Sequence, residues 1–178
     1  MALREILTEG DPALTKRARP VKKIDDKLQV LIDDMIETMY EGEGVGLAAP
    51  QVGVLRRLFV MDVDDGEGPI VFINPEILSQ EGDQEGPEGC LSLPGLFGLV
   101  SRPMEVTVRA LDREGESFEM SVQGLAARCV CHENDHLDGI LFRRHSQVPL
   151  GPLEDLPGME DMEEEMTEVE EPQEGEAQ

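Results

Sequence analysis

The chain has 178 residues, 39% of them hydrophobic, which is enough for one domain with a sizeable core. Its 39 acidic residues against 15 basic ones leave a net charge of −24. No apolar run is long enough for a membrane span, no secretory signal or transit peptide is legible, and three cysteines fit a reducing cytosol.

Leu28, Leu31, Ile32, Met35, Ile36 and Met39 recur on one helical face, so residues 25–40 read as an amphipathic helix. Glu41-Gly42-Glu43-Gly44 ends it in a turn. Gly44-Val45-Gly46-Leu47-Ala48-Ala49 then matches the dinucleotide fingerprint G-x-G-x-x-A, which requires a strand before it and a helix after it. Here a helix precedes it, and Pro50 stands where the next helix would have to run. The nucleotide reading fails, and the glycines instead suit a backbone that passes close to a functional site.

Residues 57–63 and 70–73 read as strands across an Asp-Gly-rich turn, and the leucines around Cys90 suggest a short buried strand. Residues 104–111 and 117–122 read as a hairpin across Asp112-Arg113-Glu114-Gly115. A helix follows, apolar over Gly124–Val130, with Gly139 at a plausible C′ position. These elements predict an α+β domain over residues 1–150, with mixed or antiparallel sheets packed around a central helix that bears an HExxH motif. From Glu154 to Gln178 the chain carries twelve acidic residues and no basic one, half of the net charge. Residues 151–178 therefore read as a solvated acidic tail, repelled by nucleic acid. Leu156, Met159, Met162, Met166 and Val169 recur at near-helical spacing, which would suit a short docked helix.

The motif itself is His132-Glu133-Asn134-Asp135-His136. On a helix its two histidines sit about 40° apart, so both imidazoles can hold one metal ion. Glu133 lies close enough to act on a water at that metal without being a ligand, the arrangement that metal-assisted hydrolysis needs. HExxH is short, and surface helices carry it by chance. This helix, however, is apolar, and buried imidazoles and carboxylates are costly unless something satisfies them. For a third ligand, His145 and the acidic tail lie downstream, and Cys90 in Glu88-Gly89-Cys90-Leu91-Ser92 lies upstream as the better-placed donor. Cys129 shares the His132 face, whereas Cys131 is turned away by about 100°; both read as buried free thiols.

Three segments together resemble peptide deformylase of the bacterial type: Gly44-Val45-Gly46-Leu47-Ala48-Ala49-Pro50-Gln51, Glu88-Gly89-Cys90-Leu91-Ser92 and His132-Glu133-Asn134-Asp135-His136-Leu137. The resemblance spans residues 3 to 145. It implies that Cys90, His132 and His136 bind one divalent metal, with ferrous iron favoured and zinc, nickel or cobalt as alternatives. It implies Glu133 as general base and acid, and the Gln51 amide and Leu91 backbone N–H as oxyanion donors. Val45, Gly46, Leu125 and Cys129 are the candidate substrate pocket, and Arg102 is a candidate anchor for Glu88. The implied reaction removes the formyl group from the N-terminal methionine of nascent polypeptides and releases formate, in the bacterial cytoplasm, with transient ribosome association and no membrane. Cys131 departs from the family pattern, which usually has Gln there.

Two other readings compete. An HExxH peptidase acting on peptide bonds would more naturally take a downstream carboxylate or histidine than Cys90. A non-enzymatic peptide- or metal-binding module on the same fold would not need the ligands, the base and the oxyanion donors together.

Overall fold

The computed structural model describes residues 2–159. Helix α1 spans Asp26–Glu41, and the carboxylate of Asp25 caps it by accepting from the Leu28 amide at 3.0 Å. Strands β1 (Gly46–Ala48), β2 (Leu58–Met61), β3 (Ile70–Glu81), β4 (Gln84–Cys90), β5 (Leu93–Arg102), β6 (Glu105–Leu111) and β7 (Ser117–Gln123) follow, and then helix α2 (Leu125–Leu137). Five strands form one antiparallel sheet in the order β1-β2-β3-β6-β7, and β4 and β5 form a separate antiparallel ribbon.

Strand alternation divides the core. On β2, Leu58 and Val60 join the cluster built by α1 residues Leu31, Ile32, Met35 and Met39. Phe59 and Met61 point the other way, into the cluster that holds Ala127, Val130 and Leu137 of α2. Successive side chains of a strand face opposite sides, so β2 is buried on both and the sheet lies between the two helices. The helix over residues 25–40 and the 104–122 hairpin are where periodicity puts them. The sheets are antiparallel throughout, and α2 carries the HExxH residues between the large sheet and the ribbon.

The segment around Cys90 differs from expectation. It is not a short buried strand: β4 runs seven residues, Cys90 is half-buried at its end, and Leu91 and Ser92 form the turn into β5. In the two-stranded ribbon β4 has only one partner strand, and the Gly- and Glu-rich sequence of β4 buries little apolar area. Glu88 is buried there through ion pairs instead.

The N-terminal segment is strapped across the molecule. Buried Asp34 accepts from the Ala2 amide at 2.8 Å and from Arg4 Nε at 3.0 Å, and Thr38 Oγ1 accepts from the Arg4 amide. Further on, the Leu7 amide donates to Gln51 O and the Glu9 amide to Ser92 O, fixing two loops that flank Cys90. At the other end, Phe97 and Gly151 exchange backbone hydrogen bonds and Leu156 is buried. The helix considered for the acidic tail falls on residues outside those described, apart from this first part.

Candidate active site

Helix α2 begins at Gly124, whose φ of +59° turns the chain sharply out of β7. From there the 3.6-residue period brings Arg128, His132 and Glu133 to the side facing the ribbon and the β1 loop. His136 lies a turn beyond His132, and Gly139 in left-handed conformation closes the helix as expected. Cys90 Sγ lies 3.3 Å from His136 Nε2, which is 3.2 Å from His132 Nε2. The ligand atoms of all three residues fall within 4.8 Å of one another, and no other such group occurs among the described residues. His145, the downstream alternative, is exposed and meets Asp135 instead.

Glu88 organises this cluster. Its Oε2 accepts from His132 Nδ1 at 2.8 Å, which leaves the lone pair of Nε2 facing Cys90 and His136. The same carboxylate accepts from Arg102 Nε at 3.0 Å and Nη2 at 2.7 Å, and from Arg128 Nη1 at 3.0 Å. Arg102 is thus a buried anchor and not a surface arginine. Burial works to raise the Glu88 pKa, but the hydrogen bonds from His132 and Arg102 outweigh it and hold the group well below the carboxylate range.

The donor set fits a divalent metal. Burial lowers the pKa of His132, yet the adjoining Cys90 sulfur and Glu88 carboxylate more than offset this, while burial and the neighbouring His132 keep His136 neutral. Two imidazole nitrogens and a sulfur at this separation repel unless a proton or a cation lies between them. A tetrahedral shell with metal bonds of about 2.0–2.3 Å places its ligand atoms roughly 3.3–3.6 Å apart, close to the spacing found. Glu133 Oε2 is also buried with no hydrogen-bond partner among the described residues.

Glu133 lines a cleft of about 520 Å³ beside His132 and Cys90. Burial raises its pKa to about 7, so the carboxyl can both take and return a proton near neutrality. Gly46 is what lets β1 approach: a Cβ there would lie 2.6 Å from Glu133 Oε1 and 2.8 Å from Cys129 Sγ. Gln51 is held by its own Oε1, which accepts from the Ala48 amide at 2.9 Å. Its Nε2 is thereby aimed at Ser92 Oγ, 3.1 Å away, and at Cys90 Sγ, 3.5 Å away. Val45, Leu91, Leu125 and Cys129 line the same cleft, with Val45 and Leu125 exposed at its mouth. Cys131 is buried in the core on the far side, and burial lifts its thiol to about 11.

Every site residue expected from sequence borders this cleft or the metal cluster behind it. Sequence reasoning missed Arg128 and Ser92. Arg128 had a signal: it stands one turn before His132 on an otherwise apolar helix, where an arginine needs a buried partner. Ser92 carried none.

The family model for polypeptide deformylase matches residues 3–149. The chain belongs to the polypeptide deformylase family. A peptide deformylase of Clostridium botulinum is 57% identical over 142 residues, which cover 80% of this chain and 95% of that protein. The crystal structure of the Thermotoga maritima peptide deformylase superposes with a TM-score of 0.80 at 46% identity, covering 83% of this chain and all of the other. A peptide deformylase from Synechococcus elongatus, solved in complex with actinonin, gives a TM-score of 0.78 at 40% identity, covering 82% of this chain and 79% of that one. Membership in the family weighs against the peptidase and non-enzymatic readings.

Proposed function

We propose that the cleft beside Cys90, His132 and His136 is where this chain carries out the reaction of its family. The chain is a hydrolase that removes the N-formyl group from the N-terminal methionine of newly synthesised polypeptides and releases formate. The observation that carries the site assignment is the convergence of one sulfur and two Nε2 atoms, with the Glu88 carboxylate holding the His132 proton on the opposite nitrogen.

Cys90, His132 and His136 hold the divalent ion, which we take to be ferrous iron, with zinc, nickel and cobalt acceptable to the same donors. When bound, the ion supplies the Lewis acidity that makes water available as a nucleophile near neutral pH. Glu133 takes the proton from the attacking water. As the carbon–nitrogen bond breaks, the same carboxyl hands a proton to the departing methionine nitrogen, and formate leaves. The Gln51 amide and the Leu91 backbone N–H donate to the formyl oxygen as it gains charge, each worth about 3–4 kcal/mol at that stage. Val45, Gly46, Leu125 and Cys129 receive the methionine side chain, a role supported by their place in the cleft.

Residues 1–150 form the catalytic domain in this reading and 151–178 an acidic tail, in keeping with a family match that ends at 149. No helix among the described residues is long and apolar enough to cross a membrane. Nascent chains as substrate, with three free cysteines, support a cytoplasmic location and transient encounters with the ribosome.

The test is formate release from formyl-Met-Ala-Ser by anaerobically purified protein, with metal content measured on the same sample. We expect rapid release with about one metal per chain, and loss of both metal and activity in Cys90→Ala. A folded, fully metallated sample that releases no formate would overturn the assignment of the reaction to this cleft. Reconstitution with iron and with zinc in parallel decides the metal.

A further inference from the structure

Another cavity among the described residues, of about 420 Å³, shares no lining residue with the catalytic cleft. It lies between the segment that leads into α1 and the loop before β2. Arg19, Lys22, Lys23, Lys27 and Arg56 line it over a floor that includes Val21, Leu28 and Leu31. Its one acidic residue, Asp25, is engaged as the cap of α1. We propose that this pocket binds phosphate groups, either of a phosphorylated small molecule or of an RNA backbone.

The charge pattern is the first argument. The chain carries 39 acidic residues, yet among the described residues none of the five cations lies within 4.0 Å of a carboxylate. Outside residues 16–27 and Arg56, every arginine except Arg144 is ion-paired. Among the described residues Asp25 is the one carboxylate that lines this cavity, and it is used as a helix cap. Five like charges around one concave surface repel one another, and a multiply charged anion relieves that repulsion better than a single carboxylate does.

The second argument is rigidity. Arg19 and Arg56 face each other across a parallel bridge, in which the Arg19 amide donates to Leu55 O at 3.1 Å and the Arg57 amide to Arg19 O at 2.8 Å. The Asn74 side chain clamps Val21 from both sides, accepting from its amide at 2.8 Å and donating to its carbonyl at 2.9 Å. The backbone under the cations is therefore fixed before any ligand arrives, which reduces the ordering cost of binding.

The experiment uses the full-length, metal-loaded chain. Inorganic phosphate is titrated while backbone amide shifts are followed by NMR, and a fluorescein-labelled short oligouridylate is titrated by anisotropy. Phosphate should shift the amides of Arg19, Val21, Lys23 and Arg56, with binding weakened by added salt. The Lys22→Ala/Arg56→Ala double variant should bind roughly tenfold more weakly, whereas Arg144→Ala, which removes an exposed cation elsewhere, should bind like the parent. Both altered side chains are exposed and outside the catalytic cleft, so formate release should be unchanged and reports that the variant is folded. Oligouridylate binding that is lost in the double variant assigns the site to nucleic-acid backbone. Phosphate binding without oligouridylate binding assigns it to a free phosphorylated ligand. The proposal is overturned if neither probe binds, or if binding survives unchanged in the double variant.

Discussion

The Glu88 carboxylate accepts the Nδ1 proton of His132 across 2.8 Å, so a residue that lies two positions before one metal-site donor orients another 44 positions away. Arg102 and Arg128 hold that carboxylate in place, and the hydrogen bonds from His132 and Arg102 keep it ionised against the effect of burial. Removing its charge while keeping its shape should therefore be felt at the metal. Glu88→Gln is expected to weaken metal affinity about 10- to 100-fold, read by competition with a chelator. Unchanged affinity would mean that Glu88 serves only the fold.

Glu133 lines the cleft beside His132 and Cys90 without joining the Cys90–His132–His136 group, and the proposed mechanism makes it the proton acceptor. Glu133→Gln keeps the size and loses the proton acceptor, so metal content should stay at the parent level. Turnover should fall about 10²- to 10⁴-fold. Undiminished turnover would remove Glu133 from the mechanism.

At Gly46 the constraint is space. A methyl group there meets Glu133 Oε1 at 2.6 Å and Cys129 Sγ at 2.8 Å, and Gly46 lies in fully buried β1, paired with Met61. Gly46→Ala should push the Glu133 carboxylate aside and cost roughly 10²-fold in kcat with the metal retained. Metal analysis and kinetics on one preparation check this. Parent-like kcat would show that β1 can yield at this point.

The N-terminal strap should respond to acid. The hydrogen bond from the Ala2 amide lowers the Asp34 pKa, burial opposes it, and Arg4 lowers it further. A depressed folded value means that the strap contributes fully above the ordinary aspartate range and is lost as pH falls through the folded pKa. The Ala2 amide resonance, followed from neutral to acidic pH, should titrate with a midpoint below that of a free aspartate. In Asp34→Asn that transition should vanish.

Much of the site was legible in the sequence because its determinants are local. His132 and His136 are one helical turn apart, so a periodic helix alone brings their side chains together. The two core helices and the β6–β7 hairpin followed from apolar period and turn residues for the same reason. Cys90 was legible as a donor because it stands in a short motif, although its strand was misjudged: β4 gains its burial from the Glu88 ion pairs and not from leucines.

What only the tertiary structure decided depends on partners far apart in the chain. Glu88 meets Arg102 across 14 residues, Arg128 across 40 and His132 across 44, and no sequence period links such positions. The same holds for the basic pocket, where Arg19 and Arg56 become neighbours only through a backbone bridge. Local pattern determines which face a side chain takes on its own element. The fold determines which other charge, hydrogen bond or cavity that face then meets.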